Sequence, residues 1–515
     1  MALATGVSLN GDDLTLADVW SVALDRAPAF MSEEARAKVR AARQVVETAA
    51  SEQSGEHTYG INTGFGRFVS RTIPPEQSRE LQLRLLRSHA CGVGDPYPDE
   101  VVRAAMVLRA NALAKGYSGA RVETIDLLLE CLNRGVLPLV PSRGSVGASG
   151  DLAPLAHLAL PLVGEGRALV DGEILSGADA LARVGLAPVI LEAKEGLSLV
   201  NGTQFMGAVG ALALVRARRL AKAADIACAL SVEALQGSRV SFQPQIHALR
   251  PHPGQITSAA NLLRLLEGSA IIEAHRWCDR VQDAYSLRCA PQVHGACRDL
   301  LDYAERTVAI EVNAATDNPL VLVDSGELVS NGNFHGQPVA FALDCLAMAL
   351  AELASISERR VERLVNPSLS EGLPPFLTHD GGLNSGFMIP QYVAAALVSE
   401  NKVLCHPASV DSIPTSAGQE DHVSMGNASA LKCWQVLANA ERALAIELLA
   451  GTQALEFLAP LEPGAGCRAA HRFIRTLSET VFEDRSLADD IERLASALAS
   501  GALIAAVEDA TGALS

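Results

Sequence analysis

The sequence is poor in aromatic side chains, 4% of its 515 residues, and has no excess of positive charge. A formal charge of −17 opposes a phosphate backbone, which speaks against nucleic-acid binding. Ten cysteines stand singly with no Cys-x-x-Cys pair, so their spacing encodes neither a zinc ribbon nor a disulfide framework. They read as small buried hydrophobes of a reducing compartment. The N-terminal residues lack the basic start and continuous apolar core of a signal peptide, and a cytoplasmic protein is expected. The most apolar run, Val339 to Ile356, is interrupted by Asp344 and Glu352. It is too short to span a bilayer comfortably and reads as a helix buried in a bundle, so no membrane partner is expected. No His-x-x-x-His pair occurs, and the consecutive Gln419-Glu420-Asp421-His422 cannot converge easily on one ion, so no metal is expected either.

What the chain does have is alanine, leucine and helical periodicity. Helices are expected at Leu16 to Asp25, Ser32 to Ala50, Pro75 to Ala90, Asp99 to Lys115 and Ala120 to Arg134. Longer ones follow at roughly 207–237, 256–284, 296–309, 337–364, 390–404 and 425–457, with two amphipathic helices after about Leu461. Two hairpins, Arg167 to Leu175 and Leu320 to Val329, are the only convincing strands. The expected organisation is a mainly α protein: a smaller mixed N-terminal domain over 1–205, a long central helical bundle over 206–460 and C-terminal helices over 461–515.

The stretch Gly144-Ser-Val-Gly-Ala-Ser-Gly-Asp151 lies between Pro141 and Pro154 and feeds the start of a helix. It lacks the Gly-Lys-Ser/Thr ending of a phosphate loop and the dinucleotide glycine spacing, so no nucleotide is expected. It also lacks the Gly-x-Ser-x-Gly of a hydrolase nucleophile. Backbone chemistry remains. In Ala148-Ser149-Gly150 the unhindered Gly150 nitrogen can attack the Ala148 carbonyl, and loss of water would leave an electrophilic methylidene. The same tripeptide also reads as a small-residue loop that merely caps a helix.

Six polar clusters interrupt the helical pattern. The Tyr59 loop carries three glycines in seven residues, and Tyr59 there could serve as an acid or base, or simply pack a turn. Ser88-His89 ends a helix. Asn201-Gly-Thr-Gln204 precedes a long apolar helix, where Asn201 would ordinarily be an N-cap. Gln282, Tyr285 and Arg288 fall at three-residue steps, near one face if helical, with Arg288 suited to a bidentate grip on a carboxylate. Ser330 to Gln337 is a turn-rich loop with one aromatic, Phe334. The sixth cluster runs from Pro414 to Met425.

Read together, six ordered motifs resemble the aromatic amino acid ammonia-lyase family across nearly the whole chain. They are Tyr-Gly-Ile-Asn-Thr-Gly-Phe-Gly from Tyr59, Gly-Ala-Ser-Gly-Asp-Leu-Ala-Pro from Gly147, Asn-Gly-Thr-Gln from Asn201, Gln-Asp-x-Tyr-Ser-Leu-Arg-Cys from Gln282, Gly-Asn-Phe-His from Gly332 and Gln-Glu-Asp-His-Val-Ser-Met from Gln419. The resemblance implies the helical ammonia-lyase and fumarase–aspartase type of fold, a homotetramer with active sites shared between subunits, and autocatalytic cyclisation of Ala148-Ser149-Gly150 to 4-methylidene-imidazol-5-one (MIO). It implies Tyr59 as the base that takes the β-proton. Asn201, Tyr285 and Gln282 would polarise or position the prosthetic group and the amine, and Arg288 would hold the substrate carboxylate. Ser88-His89 and Glu420 match the histidine-specific branch, in which His89 and Glu420 would grip the imidazole with Phe334 and Gln419 beside it. A carboxylate can pair with an imidazole, whereas against a phenyl ring it would be desolvated without a partner. The expected reaction is therefore elimination of ammonia from L-histidine to give trans-urocanate. A phenylalanine or tyrosine lyase, or an aminomutase, is the alternative. Ala290, His294 and Gly418 depart from the histidine-branch pattern of glutamine, methionine and asparagine.

Overall fold

A computed structural model of the protein describes residues 6–51, 60–61, 63–64, 68, 70–277 and 280–515. Helices dominate the described residues, as the periodicity predicts, and the strands are only two to four residues long. Several helix starts are set locally. Thr15 and Asp18 exchange side-chain and backbone hydrogen bonds ahead of Leu16–Ala23, a reciprocal cap. Ser32 Oγ accepts the Ala35 N–H at 3.1 Å ahead of Glu33–Ser51, whose first turn carries Glu33 and Glu34 against the positive helix end.

Four helices are long: Gln204–Ala234 and Gly426–Glu456 with 31 residues each, Gln337–Val365 with 29 and Ala290–Glu311 with 22. The described chain divides into two compact units. The first is Met1–Val215, Ala304–Asp344 and Pro407–Leu431; the second is Arg216–Tyr303, Cys345–His406 and Lys432–Ser515. Each long helix begins in one unit and ends in the other. The units therefore interleave along the chain, a different division from the consecutive segments 1–205, 206–460 and 461–515.

Within the first unit, a side chain at Gly210 would lie 3.2 Å from Val308 and 3.3 Å from Leu343, so its absence lets long helices approach closely. Within the second unit, buried charges tie helices together. Arg360 grips Glu447 through Nε–Oε1 at 2.5 Å and Nη2–Oε2 at 2.8 Å, and Ser231 Oγ donates to the same carboxylate at 2.7 Å. His294 joins a second knot, with Nδ1 2.8 Å from Asp225 Oδ1, while Arg298 holds Asp225 Oδ2 at 2.7 Å. One single helix among the described residues, Gln337–Val365, is long and apolar enough to cross a membrane. Most of its apolar window is buried inside the protein, the state of a bundle core helix.

Both expected hairpins form, Arg167–Val170 with Glu173–Ser176 and Leu320–Leu322 with Glu327–Val329. Leu137–Pro138 adds a third strand to the first hairpin. Val7–Leu9 pairs in parallel with Ala29–Met31, and Val93–Pro96 pairs with Pro141–Arg143.

Three expectations need correction. The helix over 256–284 is broken: Pro253–Leu265 ends, Gly268 turns with φ 75°, and Ser269 caps a new short helix, Ala270–Ala274, through the Ile272 N–H. The tail holds three helices, Ala465–Leu477, Ala488–Ser500 and Ala502–Thr511, because Gly501 adopts φ 86° between the last two. Asn201 is no N-cap: it closes the helix Glu195–Val200 at its C-terminal end.

Candidate active site

The loop Gly144 to Asp151 packs against three other segments of the first unit. Gly202 N–H donates to the Ser149 carbonyl at 3.2 Å, and Asp151 N–H donates to the Gly202 carbonyl at 2.7 Å. The Gly147 carbonyl accepts from the Gly336 N–H at 3.0 Å and from Ser424 Oγ at 2.8 Å, while Met425 N–H reaches the Val146 carbonyl at 2.8 Å. The Asn201, Ser330 and Pro414 clusters, far apart in sequence, thus meet on one loop.

That grip holds the loop in a conformation it would not choose. Ser149 has φ 55° and Gly150 φ 76°, and a left-handed residue other than glycine carries strain that only surrounding structure sustains. A Cβ at Gly150 would lie 1.9 Å from the Gly202 carbonyl oxygen, so no other residue fits. Asp151 anchors the far side. Its buried carboxylate accepts the Phe205 and Met206 N–H groups at 3.0 Å each and the Ser145 hydroxyl at 2.8 Å. Burial pushes its pKa up to about 6 against these hydrogen bonds. The loop thereby caps the helix Gln204–Ala234, and the helix Leu152–Ala159 starts directly behind it.

Ser149 opens onto a cavity of about 760 Å³ whose wall also includes Ser88, His89, Asn201, Asn318 and Glu420, with Leu81, Leu85, Leu152 and Leu197 as apolar lining. Ser149 Oγ stands 3.3 Å from Glu420 Oε1, and Thr415 Oγ1 donates to Glu420 Oε2 at 2.7 Å. His89 is the last residue of the helix Ser78–His89, and its Nδ1 is 2.9 Å from Ser88 Oγ. Burial lowers its pKa, opposed by a hydrogen bond at Leu85 and by the Glu420 charge. Asn201 is buried, and its Oδ1 has no hydrogen-bond partner among the described residues. A carboxylate, an imidazole and an amide therefore converge beside a strained serine in a largely apolar hollow.

The remaining expected residues lie elsewhere. Ala148 is buried within the loop. Phe334 and Gln419 are in the first unit but do not line the cavity, and Gln419 is exposed. Gln282, Tyr285 and Arg288 belong to the second unit, where they form a group of their own. Arg288 Nη2 donates to Gln282 Oε1 at 2.8 Å, and its guanidinium lies 4.8 Å from the Tyr285 ring centre. Only Tyr285–Arg288 is helical, so Gln282 joins them through a hydrogen bond and not through a shared helix face. Tyr59 lies outside the described residues. Sequence reasoning missed Asn318 and Thr415; the polar run Thr316-Asp317-Asn318 ahead of a strand was the available signal for the first.

The chain is similar to known proteins over nearly its full length. The aromatic amino acid lyase family model matches residues 14–476. A histidine ammonia-lyase of Gloeobacter violaceus is 58% identical, over 98% of each chain. The crystal structure of histidine ammonia-lyase from Trypanosoma cruzi superposes with a TM-score of 0.91 at 46% identity, covering 98% of this chain and 96% of that one. Tyrosine aminomutase from Streptomyces globisporus gives 0.93 at 39% identity, covering 98% and 99%. With the Ala148-Ser149-Gly150 loop, its cavity and these full-length matches in agreement, the chain belongs to the aromatic amino acid lyase family and is a carbon–nitrogen lyase.

Proposed function

We propose that this enzyme eliminates ammonia from L-histidine to give trans-urocanate. The observation that carries the reading is the placement of Glu420 3.3 Å from Ser149 Oγ in a cavity it shares with His89. Two polar groups that can hydrogen-bond an imidazole stand beside the reacting position, where a phenyl ring would leave both unpaired. Relatives that carry the histidine ammonia-lyase name over nearly the full chain support it.

Ala148-Ser149-Gly150 fits a precursor of MIO: the turn is left-handed, Gly150 excludes any side chain, and Asn201 in the same cavity holds a buried oxygen with no partner among the described residues. Formed there, MIO would supply an electrophile that makes the substrate nitrogen a better leaving group. The chain's own residues do the rest. His89 and Glu420 hold the imidazole, and Asn201 positions the amine. Tyr59 takes the β-proton, the released electron pair forms the Cα–Cβ double bond, and the Cα–N bond breaks. The partial positive charge at the start of Leu152–Ala159 adds a modest stabilisation.

Arg288 holds the substrate carboxylate, while Gln282 and Tyr285 beside it position the prosthetic group and the amine, all three reaching the cavity of another copy in a homotetramer. The strong exposure of Trp277, Val281 and Tyr285 supports an interface there. Phe334 and Gln419 complete the substrate wall in the same assembly. Burial pushes the thiols of Cys131, Cys228 and Cys297 up to about 12, as suits unreactive core residues of a cytoplasmic protein.

The likeness to a tyrosine aminomutase keeps one second reading, return of the amine to the β-carbon. Incubation with histidine, phenylalanine and tyrosine separately, followed by ultraviolet spectra and product separation, decides. A conjugated acrylate from histidine is expected; a β-amino acid product, or acrylate only from phenylalanine or tyrosine, overturns the reading.

A further inference from the structure

Next to Asn201, inside the first unit, lies a charged pair that the chemistry above does not use. Lys194 and Asp317 are both fully buried, with Lys194 Nζ 2.8 Å from Asp317 Oδ2 and 3.2 Å from Ser198 Oγ. Taking two ions out of water is costly, and an apolar pair of similar volume is often as stable or more so. Stability alone is therefore a weak reason for this pair, and its other contacts show what it holds.

Asp317 Oδ1 accepts the Asn318 N–H at 2.7 Å and Asn201 Nδ2–H at 3.4 Å, and Asn201 Nδ2 also donates to the Asn318 carbonyl at 3.1 Å. With acceptors alone around Nδ2, the Asn201 amide has one orientation; turned over, it would set oxygen against oxygen. Oδ1 is left buried without a partner among the described residues, on a residue that lines the cavity together with Asn318. Arg109, also fully buried, takes the Asn201 main-chain oxygen at 2.6 Å, so backbone and side chain are fixed separately. Lys194 is itself locked in place: it holds φ 74°, and a Cβ at Gly60 would lie 3.3 Å from its Cδ. Without the ammonium, the buried Asp317 carboxylate loses the partner that fixes Oδ2, and the acceptor that orients Asn201 is no longer held in place.

We propose that Lys194 and Asp317 are positioning residues that set the Asn201 amide with Oδ1 as the free acceptor for the substrate's ammonium group. The ligand named here rests on the ammonia-elimination reading; the orientation of Asn201 does not. Three variants of the full chain test it: Lys194→Met, Asp317→Asn and the double variant Lys194→Met with Asp317→Leu. The measurements are thermal unfolding, kcat and KM for histidine, and a crystal structure of the double variant. Lys194→Met should lower Tm, and the double variant should recover it. Its kcat should stay down by about a hundredfold, the scale of a misplaced reacting group, with KM rising far less. Asp317→Asn keeps the shape of the site, should fold, and should also lose kcat, which decides the matter if the other two variants do not fold. A double variant, or a folded Asp317→Asn, with wild-type kcat overturns the proposal. So does a crystal structure of the double variant with the Asn201 amide unmoved, a result read without any activity. Failure of the parent reading is a separate event, shown by wild-type enzyme that yields no acrylate from histidine.

Discussion

The carboxylate of Glu420 reaches to 3.3 Å from the hydroxyl of Ser149, a residue 271 positions earlier in the chain. One acidic side chain is thereby placed at Ser149 in a cavity shared with His89, where on the proposed reading it selects a ring that bears nitrogen. Glu420→Gln keeps the shape and removes the charge. Loss of one charge-assisted hydrogen bond is worth about 1.5–3 kcal/mol, so kcat/KM for histidine should fall roughly ten- to a hundredfold. Residual turnover of phenylalanine should change little, and equal losses on the two substrates would refute the imidazole role.

Glu420 is held by Thr415, whose hydroxyl donates to Oε2 at 2.7 Å while the two backbones exchange hydrogen bonds at 2.9 and 3.3 Å. Thr415→Val removes only the hydroxyl bond and should slow histidine turnover about tenfold, the cost of one lost hydrogen bond. Thr415→Ser should restore the rate. Steady-state kinetics on the pair checks it, and a Ser variant as slow as Val would show that the methyl group, not the hydroxyl, matters.

Gly150 and Ser149 separate loop geometry from loop chemistry. Ser149→Ala leaves the backbone alone and should fold with the wild-type oligomeric state, with no turnover and no mass deficit of two waters. Gly150→Ala puts a Cβ 1.9 Å from the Gly202 carbonyl at φ 76°. It should cost well over about 1 kcal/mol of stability as well as the mass deficit. Intact-mass spectrometry and thermal unfolding on both variants read the two effects apart.

Asp151 ties stability to pH. Its folded pKa is raised from 3.8 to about 6 by burial, so between those values the folded state binds more protons than the unfolded one. Stability contributed by this group is full below 3.8 and is lost as pH rises through about 6, by at most about 3 kcal/mol. Asp151→Asn should therefore gain in Tm relative to wild type as pH is raised through that window. A Tm difference that is flat with pH would show that Asp151 does not titrate there.

The sequence alone determined the helical class and most helix positions, and it pointed to the candidate site. Three- and four-residue periodicity, Ser32 and Thr15 as caps, and the Asp-Gly turn after Val170 act within a few residues, so each is visible in a short window. Ala148-Ser149-Gly150 stood out as a candidate for the same reason: the capacity of a tripeptide to cyclise depends on which atoms are adjacent in the chain. Even the breaks at Gly268 and Gly501 carry a local signal, though apolar periodicity on both sides masked it. What only the tertiary structure decided is which polar segments share space. The Ser149 loop meets Gly202, Gly336 and Met425 through backbone hydrogen bonds and Ser424 through its hydroxyl, and nothing in the composition of a loop specifies its partner. The start of the helix at Gln204 is set by Asp151, an acceptor supplied from more than fifty residues away, and the Lys194–Asp317 pair spans 123. Such contacts are selected by burial, which obliges a charge or an amide taken out of water to find whatever complementary group the packed fold brings to it.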